Sequence, residues 1–354
     1  MSDWRKRSRR GRRWLLGILL IAVAVALYFT PTGYMIVMPG ITRPTAELVT
    51  AQGGRKPSSG RFLMVTVSTQ PANPYVYLFG KVWPNADLEP MPPDPTAMEQ
   101  QGEQQMTTSQ ALAAVVAEKA LGLPAKVVGT GAKITSVVKG GPADGILQVG
   151  DVITQVAGHD VQFQDQLRDL VGRLPVGKPV SVMVRRGGQI LQVTITPVPH
   201  PTRLGRAAFL VDIDDDTMSY DTPVLVKIDA GNIIGPSAGL MFSLEVYNQL
   251  SHGEDLTRGR VIAGTGTILP DGRVGPIGGI EQKVITAERA GATIFLAPLD
   301  DAADAKRVAT KVQVVPVASL QDALDFLRSL PPAGTATSQL DGWRPVVASP
   351  AAAA

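Results

Sequence analysis

The sequence predicts an α+β protein of several domains behind an N-terminal apolar helix. Residues 14–29 carry no charge and directly follow a strongly basic segment. Short strand-like runs alternate with turns between residues 122 and 198, and apolar stripes at helical spacing follow glycine-rich turns between residues 229 and 298. The 354 residues, 44% hydrophobic and 18% charged, suit a globular chain of two or three domains rather than a disordered one.

The first element is a basic tail at residues 1–13, which carries seven Arg and Lys against one Asp, a net +6. The whole chain carries +3, so the remainder is at −3, and no basic surface for nucleic acid is predicted. The apolar run after the tail has three interpretations: the core of a cleavable signal peptide, a retained signal anchor, or a buried core helix.

Retention is favoured, because residues 34–38 continue the apolar character and extend the expected membrane anchor to residues 14–38. At about 1.5 Å per residue, residues 14–29 span about 24 Å of a hydrocarbon core about 30 Å thick, which is short for a spanning helix. A positive flank stays cytoplasmic, so the basic tail is expected in the cytoplasm and the rest of the chain outside, in a single-pass arrangement.

Residues 39–107 are expected to form an extracytoplasmic N-terminal region whose function the sequence does not indicate. Strand-like runs occur at residues 62–68 and 75–79. A proline-rich connector at residues 89–95 and a capped helix at residues 108–121 then lead into the next domain.

The stretch from residue 122 to 198 has the strand and helix order of a small β-rich domain. Strands are predicted at residues 133–138, 150–158, 180–186 and 190–196, with a helix at residues 163–174. Its most specific motifs are Gly-Pro-Ala-Asp-Gly-Ile-Leu at 141–147, Val-Gly-Asp-Val-Ile at 149–153 and Arg-Arg-Gly-Gly at 185–188. With the preceding helix, residues 108–199 resemble a bacterial PDZ domain.

The PDZ resemblance implies capture of an extended peptide by strand addition. The loop Gly129, Thr130 and Gly131 would receive a terminal carboxylate, and the strand that starts at Ala132, Lys133 and Ile134 would pair with the peptide. The alternative is that this strand edge is covered within the molecule, since exposed edges are usually protected.

Residues 235–239 read Gly-Pro-Ser-Ala-Gly and predict a serine at a helix N-terminus. Proline is favoured at the first helical position, and Gly235 permits a tight entry turn. Main-chain N–H groups that are free at such a terminus, around Ser237 and Ala238, could form an oxyanion hole. Taken alone, the same run is more often a helix cap than a nucleophile.

Lys283 lies on a helix predicted from about residue 279 to 291, on the same face as Ile280 and Ala287. A lysine among aliphatic side chains loses solvation, which lowers its pKa toward that of a usable general base. The ordinary alternative is a lysine whose amine reaches solvent.

Residues 229–298 together resemble the proteolytic domain of the Lon family, the S16 peptidases that use a Ser-Lys dyad. The matching features are Gly-Pro-Ser-Ala-Gly at 235–239, Thr-Gly at 265–266, the turn at 271–279, and Glu-Gln-Lys at 281–283. The resemblance implies an α+β domain of the ribosomal protein S5 domain 2-like type at residues 200–330. It also implies Ser237 as nucleophile, Lys283 as base and Thr265 as the hydroxyl that orients the lysine.

This chain departs from many Lon enzymes at two positions. Ile234 stands where many relatives have an acidic residue, so no adjacent carboxylate can tether the dyad. Thr267 stands where the large ATP-dependent relatives usually have glutamate.

Other chemistries find less support in the sequence. A Ser-His-Asp triad would need one of three histidines, which lie in turn-like or polar surroundings. The chain has no cysteine, no metal-ligand spacing, and no phosphate-binding Gly-x-x-x-x-Gly-Lys-Ser/Thr loop. The prediction is therefore a protease that needs no metal, other cofactor or ATP and has no nucleic-acid partner.

The order of segments resembles the bacterial membrane-anchored PDZ and Lon-like peptidases of the YlbL type. The resemblance implies an ATP-independent serine endopeptidase with protein or peptide substrates. Lon domains often form rings, which would make this protein a homo-oligomer. Residues 331–354, rich in Pro, Ala, Ser and Thr, are predicted to be a disordered tail. The alternatives are a membrane-tethered PDZ adaptor or sensor with a structural Lon-like domain, and a secreted protease released by signal cleavage.

Overall fold

The structure is a computed structural model that describes residues 3–55, 59–251, 253 and 255–332, with backbone alone for residues 3–13. The predicted C-terminal tail lies outside the described residues from position 333 onward.

The helices and strands follow in chain order. The helices are α1 (Asp3–Tyr28), α2 (Thr45–Leu48), α3 (Pro74–Val82), α4 (Pro95–Ala120), α5 (Gln164–Gly172), α6 (Gly239–Leu250), α7 (Ile280–Arg289), α8 (Ala302–Val308) and α9 (Leu320–Ser329), with a 3₁₀ turn at Leu299–Asp301. The strands are β1 (Tyr34–Pro44), β2 (Val49–Ala51), β3 (Arg61–Ala72), β4 (Asp87–Pro90), β5 (Lys126–Gly129), β6 (Ala132–Val137), β7 (Val152–Val156), β8 (His159–Asp160), β9 (Val180–Arg186), β10 (Gln189–Ile195), β11 (Val198–Pro199), β12 (Ala207–Ala208), β13 (Val211–Asp215), β14 (Met218–Asp221), β15 (Val226–Ile228), β16 (Val261–Gly264), β17 (Thr267–Ile268), β18 (Val274–Gly275), β19 (Ile294–Pro298) and β20 (Gln313–Val317).

The chain divides into two compact units, which are described separately. The first unit combines residues 1–123 with residues 224–354, and the second comprises residues 124–223. The first unit is built on a mixed sheet of strand order β20-β19-β16-β3-β1-β4. Strands β3, β16, β19 and β20 run parallel, while β1 pairs antiparallel with β3 and β4.

The predicted N-terminal region at residues 39–107 is therefore part of the same sheet as the segment that carries Lys283. Strand β3 contains the strand expected at residues 62–68 and pairs with β16 in register Leu63↔Ala263. Side chains from both segments share one core, which includes Leu63, Ala263, Val284 and Phe295. Sequence patterns missed this pairing, because the paired residues of β3 and β16 lie 200 positions apart.

The N-terminal apolar segment differs from the prediction at its C-terminal end. Helix α1 ends at Tyr28, and residues 34–38 lie in β1, where Ile36 and Val37 are buried in the sheet. These residues therefore extend the first unit rather than an anchor. Across the described parts of the chain, no helix combines the length and the hydropathy needed to cross a membrane. Membrane anchoring stays a prediction.

Two further elements differ from their predictions. Residues 75–79, expected as a strand, lie in α3, because the Asn73 side chain accepts hydrogen bonds from the N–H groups of Tyr75 and Val76 and caps a helix that opens at Pro74. Helix α4 begins at Pro95, since the Asp94 carboxylate caps it by accepting from Ala97 N–H. Helix α4 also belongs to the first unit and not to the domain that follows it.

The second unit confirms the strands and the helix predicted for residues 122–198. Its main sheet has the order β10-β9-β7-β6-β13, and α5 covers one face. Inward side chains from the strands and from α5 form a separate core, which includes Ile134, Ile153, Leu167, Val184 and Phe209.

Candidate active site and peptide groove

Ser237 lies in the turn immediately before α6. The helix begins at Gly239, so the serine lies at the helix N-terminus, as predicted, while Pro236 precedes the first turn instead of opening it. Gly235 adopts a positive φ of 91°, which a glycine tolerates without strain. A Cβ at Gly239 would come within 2.8 Å of Ile268 Cγ2 and Ser109 Oγ, so close packing requires glycine there. The turn therefore has a defined shape.

The main-chain carbonyl of Ser237 anchors this turn to the next strand segment. It accepts hydrogen bonds from Gly266 N–H at 2.8 Å and from Thr265 Oγ1 at 2.9 Å. Because this carbonyl is satisfied from outside the helix, the position of the serine depends on the Thr-Gly pair that the sequence singled out.

Helix α4 also holds the serine turn, and sequence patterns gave no sign of it. Gly235 N–H donates to Gly102 C=O at 2.9 Å, and Ser109 Oγ donates to Pro236 C=O at 3.0 Å. The acceptor Gly102 and the donor Ser109 are seven residues apart and therefore lie on one face of α4. A helix expected to lead into the PDZ domain thus positions the candidate nucleophile.

Lys283 is buried at the end of the first turn of α7, with only 3% of its surface exposed. The same helix buries Ile280, Val284 and Ala287 in the apolar core. Burial lowers the pKa of the Lys283 amine from its ordinary value to about 8, because the charged form loses water. A substantial neutral fraction is therefore present near physiological pH.

Among the described residues, Asp301 is the charged group whose field opposes this effect of burial on the Lys283 pKa. It ends the 3₁₀ turn after β19, and its carboxylate accepts Ile277 N–H at 2.9 Å in the loop before α7. Its own pKa is raised, mainly by burial. A carboxylate in this place was not predicted, since it follows Lys283 by 18 positions in an otherwise ordinary acidic turn.

Thr265 connects the two candidate catalytic residues. Lys283 Nζ donates to Thr265 Oγ1 at 3.3 Å, and the same hydroxyl donates to the Ser237 carbonyl. Thr265 itself is fully buried. The three residues predicted to work together are thus joined through Thr265, while no direct hydrogen bond links the Ser237 hydroxyl to the Lys283 amine among the described residues.

Two main-chain donors beside the serine are available to a ligand. Within the described part of the chain, the N–H groups of Ser237 and Ala238 have no main-chain acceptor, whereas Gly239 N–H bonds to Pro236 C=O. Neighbouring free N–H groups before a helix are suited to a developing oxyanion.

The structure corrects the predicted peptide site at residues 129–134. The edge of β6 is covered by β13, which pairs with it antiparallel in register Ala132↔Asp215, Lys133↔Asp214 and Ile134↔Ile213. The other edge of β6 pairs with β7. The alternative of an internally covered edge therefore holds for this strand.

The loop expected to receive a carboxylate is likewise engaged within the second unit. Gly129 lies in β5, which pairs with β14. Thr130 N–H donates to Thr217 C=O at 3.1 Å, its hydroxyl donates to Asp216 at 2.7 Å, and Gly131 N–H donates to Gln162 C=O. These donors have protein partners already, so they are not free for a ligand.

A groove of about 370 Å³ lies instead between α5 and the segment that leads into β13. Its apolar lining includes Leu167, Val171 and Phe209, and its basic lining includes Arg168 and Arg206. Strand β13 is the terminal strand of its sheet and pairs with β6 alone among the described strands. Its outer edge therefore faces the kind of groove that strand addition needs.

The backbone at the entrance to β13 has an uncommon conformation. Leu210 has a φ of +57°, a left-handed value that a branched residue adopts only under constraint from its surroundings. Among the described residues, the N–H groups of Phe209 and Leu210 have no acceptor. Free N–H groups close to arginines are suited to a carboxylate.

The structure describes two of the three histidines. His159 and His200 belong to the second unit, and His252 lies outside the described residues.

Comparison with protein families separates the chain into two matched segments. The PDZ domain family matches residues 115–196. The C-terminal proteolytic domain of Lon protease (S16) matches residues 186–327, which include Ser237, Thr265 and Lys283.

Curated Lon proteases match parts of the chain. Lon protease of Ureaplasma parvum serovar 3 is 36% identical over 92 residues, which make up 25% of this chain and 11% of that protein. Lon protease 1 of Myxococcus xanthus is 32% identical over 152 residues, 42% of this chain and 18% of that protein. The chain thus spans less than a fifth of the length of these relatives.

Among solved structures, the PDZ domain of an SdrC-like protein from Listeria monocytogenes aligns at 23% identity and a TM-score of 0.23, covering 24% of this chain and 87% of that one. The assignment therefore rests on the family matches. The chain contains a PDZ domain and a Lon C-terminal proteolytic domain, which is consistent with a PDZ-containing Lon-like protease.

Proposed function

We propose that the protein is a serine endopeptidase that hydrolyses peptide bonds with Ser237 as nucleophile and Lys283 as general base, without ATP. The observation that carries this proposal is the buried Lys283 amine, which donates to Thr265 while Thr265 donates to the Ser237 carbonyl. This arrangement supplies a base of lowered pKa beside a serine in a fixed turn.

Acylation begins with proton transfer from Ser237 Oγ to the neutral Lys283 amine. Rotation of the serine side chain is required, since the two groups are not hydrogen-bonded in the free protein, and apo catalytic sites often tighten only around substrate. Oγ then attacks the scissile carbonyl carbon. The N–H groups of Ser237 and Ala238 stabilise the oxyanion, and protonated Lys283 gives its proton to the leaving amine.

Deacylation again uses Lys283 as the base, now toward water, with Ser237 as the leaving group. Neutral Lys283 takes a proton from water, the resulting hydroxide attacks the acyl-Ser237 ester, and the proton returns to Ser237 Oγ as the carboxylic acid leaves. Thr265 keeps the amine aimed throughout, because its hydroxyl is fixed by the Ser237 carbonyl.

The PDZ domain would bind peptides in the groove between α5 and β13. An extended peptide would pair with the outer edge of β13, with an apolar side chain against Leu167 and Val171. A terminal carboxylate would meet the free N–H groups at Phe209 and Leu210 together with Arg206. This assignment replaces the site expected at residues 129–134.

The location at a membrane belongs to the same proposal. It is supported by the net +6 of residues 1–13 and by the apolar side chains of residues 14–29, most of which are exposed in the structure. An exposed apolar helix of this kind needs a lipid or protein environment. The basic tail would then be cytoplasmic, and the chain that follows the membrane segment would be extracytoplasmic.

The test is degradation of unfolded casein by the full chain and by Ser237→Ala. We expect cleavage by the parent and none by the variant, with the same circular dichroism spectrum for both. Cleavage that survives in pure Ser237→Ala would refute the nucleophile. If neither protein cleaves casein while both bind C-terminal peptides, the alternative of a membrane-tethered PDZ adaptor is favoured instead.

A further inference from the structure

Helix α3 exposes a continuous apolar face. Large apolar side chains at spacings of three and four residues, which lie on one side of a helix, are Tyr75, Leu78, Phe79, Val82 and Trp83. Their exposed fractions lie between 39% for Phe79 and 74% for Val82. A single exposed apolar residue is common, but five on one face form a patch that needs a partner.

The opposite face of α3 fixes the orientation of this patch. Gly80 is buried, and a Cβ there would come within 3.0 Å of Leu88 in β4 and 3.2 Å of Ile36 in β1. The helix backbone thus lies directly on the sheet of the first unit. The exposed face cannot turn inward without separating α3 from that sheet.

The apolar patch lies beside the N-terminal apolar segment. Helices α1 and α3 are in contact, and Tyr75 Oη donates to Ala24 C=O at 2.9 Å. The exposed apolar side chains of residues 14–29 and those of α3 therefore belong to neighbouring elements of the same unit. An environment that covers the apolar side chains of residues 14–29 is therefore also close to those of α3.

The composition of α3 indicates which partner covers it. Its face combines Tyr, Phe and Trp, and Phe79 and Trp83 contact each other with ring centroids 4.7 Å apart. Tyrosine and tryptophan favour the headgroup level of a bilayer, where their rings are buried and their polar atoms stay wet. Lys81, exposed beside this face, would favour an anionic surface.

We propose that α3 is a membrane-interface helix, whose face Tyr75, Leu78, Phe79, Val82 and Trp83 lies at the headgroup level of the bilayer that receives residues 14–29. This inference rests on the proposed membrane attachment. It adds a second contact, one that fixes the orientation of the first unit on the lipid surface.

The experiment measures the depth of single tryptophans in lipid vesicles. The chain has four tryptophans, so Trp83 is isolated by replacing Trp4, Trp14 and Trp343 with Phe, and Trp14 is isolated in the same way. Each full-length protein is reconstituted in vesicles of phosphatidylcholine and phosphatidylglycerol that carry bromine at shallow or deep acyl positions. Quenching of tryptophan emission reports contact with the brominated depth.

We expect shallow bromines to quench Trp83 more strongly than deep bromines do, with a blue shift of its emission relative to the unfolded chain. Quenching of Trp14 with no quenching of Trp83 would overturn the inference while leaving membrane attachment intact. Absence of quenching at Trp14 would refute the attachment itself, and quenching at Trp83 alone would then support α3 as an independent lipid contact. Absence of quenching at both positions overturns both. Blue-shifted emission at Trp83 without lipid quenching would indicate a protein partner, such as a second copy, and would also overturn the inference.

A substitution within the face gives a second readout. In the chain with Trp83 alone, Leu78→Asp combined with Val82→Asp should lower lipid quenching of Trp83 at least several-fold, because two buried charges oppose insertion. In the chain with Trp14 alone, the same pair should leave the quenching unchanged. Leu225→Asp, at an exposed position of the same unit, is the matched control and should change neither. Unchanged Trp83 quenching in the double variant would contradict lipid contact by this face.

Discussion

The candidate catalytic site and the peptide groove differ in how their polar groups meet water. Lys283 and Thr265 are buried and held by specific partners, whereas the groove beside α5 is open and carries arginines at its rim. Exclusion of water lowers the pKa of an amine, and a lysine must have a lowered pKa to act as a general base. An open strand edge with free N–H groups permits reversible exchange of peptides. Substitutions in the first region should therefore change kcat, and those in the second should change binding.

The sharpest test of this division is Lys283→Met, which keeps the apolar volume and removes the base. We expect kcat for casein peptides to fall by about 10⁴-fold or more, as for other members of a catalytic unit, with unchanged peptide binding at the PDZ domain. Steady-state kinetics with a quenched fluorescent peptide measure the loss. Lys227→Met, at an exposed lysine of the same unit, should retain parent activity. Equal losses in both variants would contradict the role of Lys283.

Thr265→Val should have the next largest effect, because it keeps the shape but removes the hydroxyl between Lys283 and the Ser237 carbonyl. Misplacement of a catalytic group costs about 10²-fold, and we expect a fall of that size in kcat with little change in KM. Thr265→Ser, which keeps the hydroxyl, should restore most of the activity. A Thr265→Ser enzyme as slow as Thr265→Val would mean that the methyl group, and not the hydrogen bonds, matters.

Arg206→Ala should weaken binding of C-terminal peptides by about tenfold or more, since a hydrogen bond to a charged group contributes about 1.5–3 kcal/mol. Cleavage of a short peptide by the catalytic unit should stay at the parent rate. Binding is measured by fluorescence anisotropy with the strongest peptide from an array of C-terminal decapeptides. Lys133→Ala, in the strand that sequence analysis predicted, should bind as the parent does. Loss of binding in Lys133→Ala but not in Arg206→Ala would return the site to β6.

Asp301→Asn should produce the smallest effect, a shift in the pH dependence of kcat. Activity requires neutral Lys283, so the rate of the parent should rise with pH through about 8. The Asp301 carboxylate raises that pKa, and Asp300 and Asp304 are the other acidic groups that act on Asp301. Removing the charge lowers the Lys283 pKa and moves the rise to lower pH, while asparagine can still accept Ile277 N–H. A shift to higher pH, or none, would contradict this role.

The two regions also differ in how far their sequences predicted them. The Ser237 turn and the Lys283 helix carry local signals, because Gly-Pro-Ser-Ala-Gly and an apolar stripe with one amine are each visible within one turn or helix. The structure places these residues and Thr265 together. Their catalytic roles stay predictions.

The location of the groove depends on the order of strands in the sheet, and the sequence of one strand does not predict that order. β13 covers β6 across more than 70 positions, so the strand that resembled a free edge is paired. Long sequence separation also explains why two other contributions were not predicted. Ser109 of α4 donates to Pro236 across 127 positions, and β3 pairs into the sheet that shares a core with the Lys283 helix. Aromatic and β-branched composition at residues 75–79 suggested a strand, but the Asn73 cap and Pro74 start a helix there.

The most direct test of the central claim is to trap the acyl-enzyme. The full chain is mixed with an activated peptide thioester, quenched in acid and analysed by intact and peptide-level mass spectrometry. We predict one acyl group per chain, located on the fragment with Ser237, and none in Lys283→Met within the same time. An acyl group on a different residue, or peptide cleavage that proceeds without acylation of Ser237, would contradict the account.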